Sequence, residues 1–168
     1  EHKKVRMTQS GICMKNWIVL PASIHGFKDR KRHFYLYAWY QNLLGKHSRL
    51  GKEKNYSIIH NHWCPGYFHW VTEALPRLWA LRDRLDQLTI LLPESFIDFG
   101  FIKESLQPFE NQLKLEYITE KCVSIIPKLI LPKNKPICHF YNPQILREIR
   151  EFYWLQEQKF GESEEKKE

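Results

Sequence analysis

No CxxC pair, no glycine-rich phosphate loop and no long apolar run occurs anywhere in the 168 residues. The four cysteines, Cys13, Cys64, Cys122 and Cys138, are spaced widely and irregularly. That pattern does not read as a disulfide framework, and it fits a reducing, cytoplasmic setting. Neither GxGxxG nor a Walker A sequence is present, which excludes the ordinary nucleotide-fold fingerprints. The longest apolar run, near Leu88 to Pro93, is strand-sized and far short of the roughly 18 residues a membrane helix needs. There is no internal repeat and no visible secretory signal, and residue 1 is Glu rather than Met. A fragment or a trimmed chain is therefore expected.

Acidic residues are scarce in the first third. Residues 1–60 carry 12 Lys and Arg against 3 Asp and Glu, residues 61–168 carry 14 against 16, and the whole chain stands at +7. The run Lys28-Asp29-Arg30-Lys31-Arg32 belongs to the basic part. Such a surface suits acidic lipid or a phosphorylated ligand, or it is a solvated rim. No nucleic-acid-binding motif accompanies the charge, so nucleic acid is not an expected partner. Hydrophobic residues at 43% and aromatics at 14% argue for one packed domain rather than disorder.

The pattern divides the chain into a β-rich basic opening segment, 1–55, an α/β lobe, 56–158, and a polar tail, 159–168. In the opening segment, Phe34-Tyr35-Leu36-Tyr37-Ala38-Trp39-Tyr40 has strand composition, and Gly45 and Gly51 supply turns. Tyr56-Ser57-Ile58-Ile59-His60 is a short strand. Trp70, Ala74, Leu78 and Leu81 recur at helical spacing, so a helix is expected from Tyr67 to about Arg84, kinked or split at Pro76. Leu88 to Pro93 reads as a strand. Ser95 is placed to cap a helix toward Leu106, and Leu113 to Ile118 alternates as a strand. Val123 to Leu131 reads as one or two strands around Pro127. A last helix runs from Pro143 to about Glu157, capped by Asn142. Alternation of this kind favours a largely parallel sheet with helices on its faces. Ligands bind such sheets beyond the carboxyl ends of the strands.

One stretch concentrates polar chemistry. Between Asn61 and Trp79, the side chains Asn61, His62, His69, Glu73 and Arg77 stand among five aromatics, behind the breaker Cys64-Pro65-Gly66. His69, Glu73 and Arg77 are spaced i, i+4, i+8, which puts an imidazole, a carboxylate and a guanidinium on one stripe of a helix. A histidine titrating near neutrality suits a general base. Glu73 either orients that imidazole or is the base itself. Arg77 either grips a diphosphate or acidic acceptor with its planar fork, or ties the helix to the loop. Asn61 and His62 lie at the strand exit, where ligand is met. Trp63, Tyr67, Phe68 and Trp70 offer flat faces for stacking, and Trp70 and Trp79 also read as core. His60, His62, Cys64 and His69 are zinc-ligand types within ten residues, yet Pro65 breaks the strand that would align them.

The run Tyr67-Phe68-His69-Trp70-Val71-Thr72-Glu73-Ala74-Leu75-Pro76-Arg77-Leu78-Trp79 resembles the motif of glycosyltransferase family 61. The strand before it, the Leu91-Leu92-Pro93 strand after it and Leu129-Ile130-Leu131-Pro132 agree with that family, over roughly residues 55–155. The resemblance implies the Rossmann-like first lobe of a two-lobed, GT-B type enzyme that moves a sugar from a nucleotide donor to a carbohydrate or lipid-linked hydroxyl. His69 and Glu73 would be catalytic, with Asn61, His62, Tyr67 and Arg77 binding substrate and no metal. Members continue into a second lobe with a basic segment and a His-Gly-Ala-Gly-type loop, absent here. The chain is thus expected to be the acceptor-side lobe alone, binding no cofactor itself, with a nucleotide sugar as co-substrate of the complete enzyme. Its basic third would lie peripherally at the inner face of the membrane. Two rival readings are a non-catalytic carbohydrate- or partner-binding module and a metal-dependent hydrolase centred on His60, His62 and His69.

Overall fold

The structure is a computed structural model that describes residues 1–24, 31–119, 122–132 and 141–165. Cys138 and the basic positions 28–30 lie outside the described residues.

The chain opens with β1 (His2–Met7), β2 (Cys13–Lys15) and β3 (Ile18–Val19), an antiparallel meander. Asn16 and Trp17 make the two-residue β2–β3 turn, with φ of 48° and 65°. A type I′ hairpin needs two left-handed residues. Asn accepts that conformation readily, whereas a bulky Trp is held there against a steric penalty.

Next comes α1 (Lys31–Leu44), where a strand over Phe34–Tyr40 was expected. Phe34, Ala38 and Asn42 are its buried residues, and a four-residue interval is helical, not extended. Aromatic propensity favoured a strand. Packing of that single stripe against Met14 and Val19 overrides it.

β4 (Lys46–Arg49), β5 (Tyr56–Ile58), β6 (Thr89–Pro93) and β7 (Lys114–Ile118) follow, and then β8 (Cys122–Ile130). The sheet order is β3-β2-β1-β8-β5-β6-β7, with β4 also on β8. β5, β6 and β7 run parallel to one another. Both edges of β8 are occupied. Antiparallel β1 lies along one, and parallel β4 and then β5 lie along the other. The opening segment and the α/β lobe therefore share one sheet, in a mixed α/β fold. Pro127 stands inside β8 between the pairs Lys3↔Lys128 and Val5↔Ile126, and Lys4, between the same pairs on β1, has φ 54°. Proline has no N–H to give a ladder, so the interruption falls there.

β6 is buried along its whole length. Ile90 and Leu92 join Trp70, Leu78, Ile102 and Ile149, while Leu91 joins Val5, Tyr56, Ile126 and Leu129 in a second cluster. A strand covered on both faces needs a continuous apolar run, which Thr89-Ile90-Leu91-Leu92-Pro93 supplies.

The last helix, α5 (Pro143–Glu165), is capped as expected: Asn142 Oδ1 accepts the N–H of Gln144 at 3.0 Å and of Ile145 at 3.3 Å. It runs past Glu157 to Glu165, so the tail expected from 159 is helical up to that residue. Ser95 caps nothing. Buried Phe96 pins a 3-10 turn over Glu94–Asp98, and α4 (Gly100–Leu106) starts only after Phe99.

Gly11 has φ 80°, and a Cβ there would stand 2.9 Å from the His60 carbonyl oxygen. Gly11→Ala is expected to remove about 1–3 kcal/mol of stability. Gly100→Ala, whose new Cβ meets nothing closer than 3.8 Å, should change it by less than about 1 kcal/mol. Urea midpoints of the two variants check this, and equal midpoints would contradict the close approach at Gly11.

Candidate active site

The expected Tyr67–Arg84 helix is broken into α2 (Tyr67–His69), a π turn (Trp70–Ala74) and α3 (Leu75–Trp79), followed by a 3-10 turn over Arg82–Gln87. Pro76 accounts for the break. It brings no N–H, and in a regular helix its ring would press on the carbonyl of Thr72. The wider turn, in which Leu75 N–H donates five residues back to Trp70, relieves that clash. Such π insertions recur at functional sites.

Glu73 lies in this turn and is 0% exposed. Both its oxygens are engaged. Oε1 is 2.7 Å from His69 Nδ1, and Oε2 accepts the side-chain N–H of Asn61 at 2.6 Å. A proton on Nδ1 satisfies the carboxylate and leaves Nε2 as the basic nitrogen. The His69 side chain is 26% exposed, so the imidazole reaches solvent while its partner does not. A carboxylate without exposed surface cannot itself touch a substrate. Of the two roles expected for Glu73, orienting His69 fits the geometry and acting as base does not.

Asn61 and Arg77, expected at the substrate, are both buried and hydrogen-bonded within the protein. Asn61 is buried, and its Oδ1 accepts the N–H of Trp63 at 2.8 Å in an Asx turn. Arg77 is 3% exposed, and its Nη1 donates to the carbonyls of Ile59 at 3.2 Å and His60 at 3.3 Å. The guanidinium thus fastens α3 to the exit of β5. Burial lowers its pKa, and the nearby Glu73 carboxylate opposes that shift.

His60 and Cys64 face inward. His60 stands between the carbonyls of Leu91 (Nδ1, 3.2 Å) and Gln9 (Nε2, 3.1 Å), and burial depresses its pKa to about 4. The Cys64 thiol, 3.3 Å from the Asn61 N–H, is pushed up to about 12 by burial, so no thiolate nucleophile is available there. Among the described residues, no group of three or more His, Cys, Asp and Glu side chains gathers as a metal site. The zinc set weighed from the sequence is thus split, with His60 and Cys64 in the core and His62 at the surface.

Two aromatic rings pack against His69. Trp63 stacks on it at 5.5 Å and 27°, and Phe68 meets it edge-on at 5.5 Å. Tyr67 is exposed and touches Phe101. His62 is exposed, 4.2 Å from the Trp63 ring and 5.2 Å from Phe34, and partial burial lowers its pKa. Trp70 is wholly core, its indole N–H donating to Ser105 Oγ at 2.7 Å. His62 and Trp63 also wall a cleft of about 500 Å³ with Ser10, Ile12, His33, Phe34 and Tyr37. The contribution of the opening segment to this cleft was missed in the sequence. The available signal was the Phe34, Ala38, Asn42 interval, which places Phe34 on the inner side of a helix.

The chain matches no family model, no curated protein and no solved structure.

Arg77→Met should cost about 3 kcal/mol or more, because Glu73 and two carbonyls lose a buried cation; a urea midpoint unchanged from wild type would contradict the anchor. His60 gives a pH dependence. Its folded pKa of about 4 lies below the ordinary 6.5, so the unfolded chain takes up the proton first. Stability is full above about pH 6.5 and is lost as pH falls toward 4, by about 3 kcal/mol. Denaturation series at several pH values check the slope, which His60→Gln should flatten.

Proposed function

We propose that the chain is the acceptor-side lobe of a family-61-like glycosyltransferase and that His69 is its general base. The observation that carries this reading is the Asn61–Glu73–His69 relay, which ends in a part-exposed imidazole flanked by Trp63 and Phe68. The resemblance of residues 67–79 to the family motif supports it. So does position. The loop carrying Asn61 to Gly66 leaves the carboxyl end of β5, which has β6 on one side and β8 on the other, and open α/β sheets hold ligands where strand order reverses in this way.

The chemistry follows from the tautomer. His69 Nε2 takes the proton of an acceptor hydroxyl, that oxygen attacks the anomeric carbon of the donor, and the nucleoside diphosphate leaves with the bonding electrons. Glu73 stabilises the imidazolium that forms, and Asn61 keeps the carboxylate aimed at Nδ1. The flat faces of Trp63, Phe68 and Tyr67 receive the apolar faces of the acceptor sugar. His62 stands at the cleft beside them. The nucleotide sugar is the co-substrate of the complete enzyme, and the chain's own residues supply the acceptor side. The basic character of residues 1–60 supports an acceptor met at the inner face of a membrane.

Sugar transfer from a panel of nucleotide sugars to glycan and lipid-linked acceptors, by the complete gene product, tests the proposal. His69→Ala should lower kcat by about 10²–10⁴. Glu73→Gln should lower it less and should shift the pH profile, as expected of a positioning residue. If His69→Ala transfers sugar at the wild-type rate, the base assignment fails. Glycan binding without consumption of any sugar nucleotide would instead favour a non-catalytic binding module.

A further inference from the structure

α1 presents its apolar residues the wrong way round for a surface helix. Phe34, Ala38 and Asn42 face the protein, while Leu36, Tyr37, Trp39, Tyr40, Leu43 and Leu44 are exposed, Leu43 by 69%. An ordinary surface helix shows charge on its outer side. Here residues 34–44 contain no charged side chain at all, and Arg32, Lys46 and Arg49 flank them. A contiguous apolar patch on this scale marks an interaction surface. Its Trp and Tyr content is that of an element resting at a membrane–water boundary.

Beside this ridge runs a groove of about 1050 Å³ whose lining includes Lys3, Lys4, Arg6, Arg49, Lys52 and Lys128 and no Asp or Glu. Trp17 joins the two. Its indole, carried on the left-handed β2–β3 turn, lies 5.1 Å from the Trp39 ring, and the Arg6 guanidinium sits 4.9 Å over it. Ridge and groove are therefore one surface, apolar along the helix and cationic alongside it. A second copy of the chain fits this surface poorly, since pairing the ridges would bring two cationic grooves together. An anionic bilayer satisfies both parts at once: acyl chains and interface for the ridge, headgroup phosphates for the groove.

We propose that α1 and the adjoining basic groove dock the protein onto an anionic lipid bilayer, with α1 lying in the interfacial plane. The docking rests on this surface alone and not on the transferase reading. One consequence does rest on that reading: the ridge adjoins, at Tyr37, the cleft of His33, Phe34, His62 and Trp63, so an acceptor carried on a lipid would approach His69 from the bilayer.

Co-sedimentation with phosphatidylcholine vesicles, and with mixed phosphatidylcholine–phosphatidylglycerol vesicles at low and high salt, tests the docking without reference to sugar transfer. Binding is expected to the mixed vesicles, weakened by salt, with a blue shift of tryptophan emission. Lys52→Gln with Lys128→Gln should weaken it by about fivefold per cation removed. Leu36→Gln with Leu43→Gln should weaken it by at least about tenfold. All four side chains are exposed, so unchanged unfolding midpoints should accompany both losses. The proposal is overturned if wild type ignores the mixed vesicles at low salt, if it binds neutral vesicles equally well, or if neither variant pair weakens binding. It is also overturned if light scattering finds a dimer that the leucine variant dissolves while vesicles stay unbound, since a second copy would then cover the ridge.

Discussion

The Arg77 guanidinium holds the site together. Its two bonds to the carbonyls of Ile59 and His60 fix α3 against the last residues of the β5 exit, and everything useful hangs from that junction. Once α3 is fixed, the π turn before it is fixed, and with it the carboxylate of Glu73. Once the exit loop is fixed, Asn61 stands across from that carboxylate. His69 then has one orientation in which its Nδ1 is satisfied. A buried cation is expensive to desolvate, and an arginine with carbonyl acceptors and a nearby carboxylate is the arrangement that offsets the expense.

Pro76 shapes the same region from the opposite direction. It forbids a regular helix through residues 72–76, and the chain answers with a wide turn rather than a break. The stripe of His69, Glu73 and Arg77 survives this distortion but is divided by depth. His69 remains at the surface, Glu73 is sealed, and Arg77 is turned to the sheet. A straight helix carrying the same residues would expose all three alike on one face. Depth is what leaves one of them open to solvent and turns the other two into its supports.

Much of this was legible in the residues. The strands at 56–58, 89–93 and 114–118, the Asn142 cap and the disruption at Pro76 each follow from a local rule, and the succession of elements after residue 56 follows from their periods. The helix at α1 was not legible by composition, because its aromatic content argues for a strand and only the four-residue burial interval argues otherwise. The cluster was legible as a set of residues, but the depth of each was not. Spacing alone does not distinguish a side chain that reaches a substrate from one that reaches a carbonyl, which is why Asn61 and Arg77 were grouped with His62 and Tyr67. The share of the opening segment in the cleft depends on contacts such as Phe34 with His62, and no local rule joins residues so far apart.

The place of β8 in the sheet has a consequence for how the chain comes to be folded. Val5 finds its ladder partner in Ile126, so the first hairpin leaves the ribosome roughly ten seconds before its neighbour exists. Through that interval β1 offers an unpaired edge to any other extended segment in reach. Contacts of such long sequence separation also slow the final closure. Lys3, Lys4 and Arg6 stand on that edge strand, and like charge is a common protection for an open strand against copies of itself. Like charge at these three positions would in this way oppose pairing between two unfinished chains.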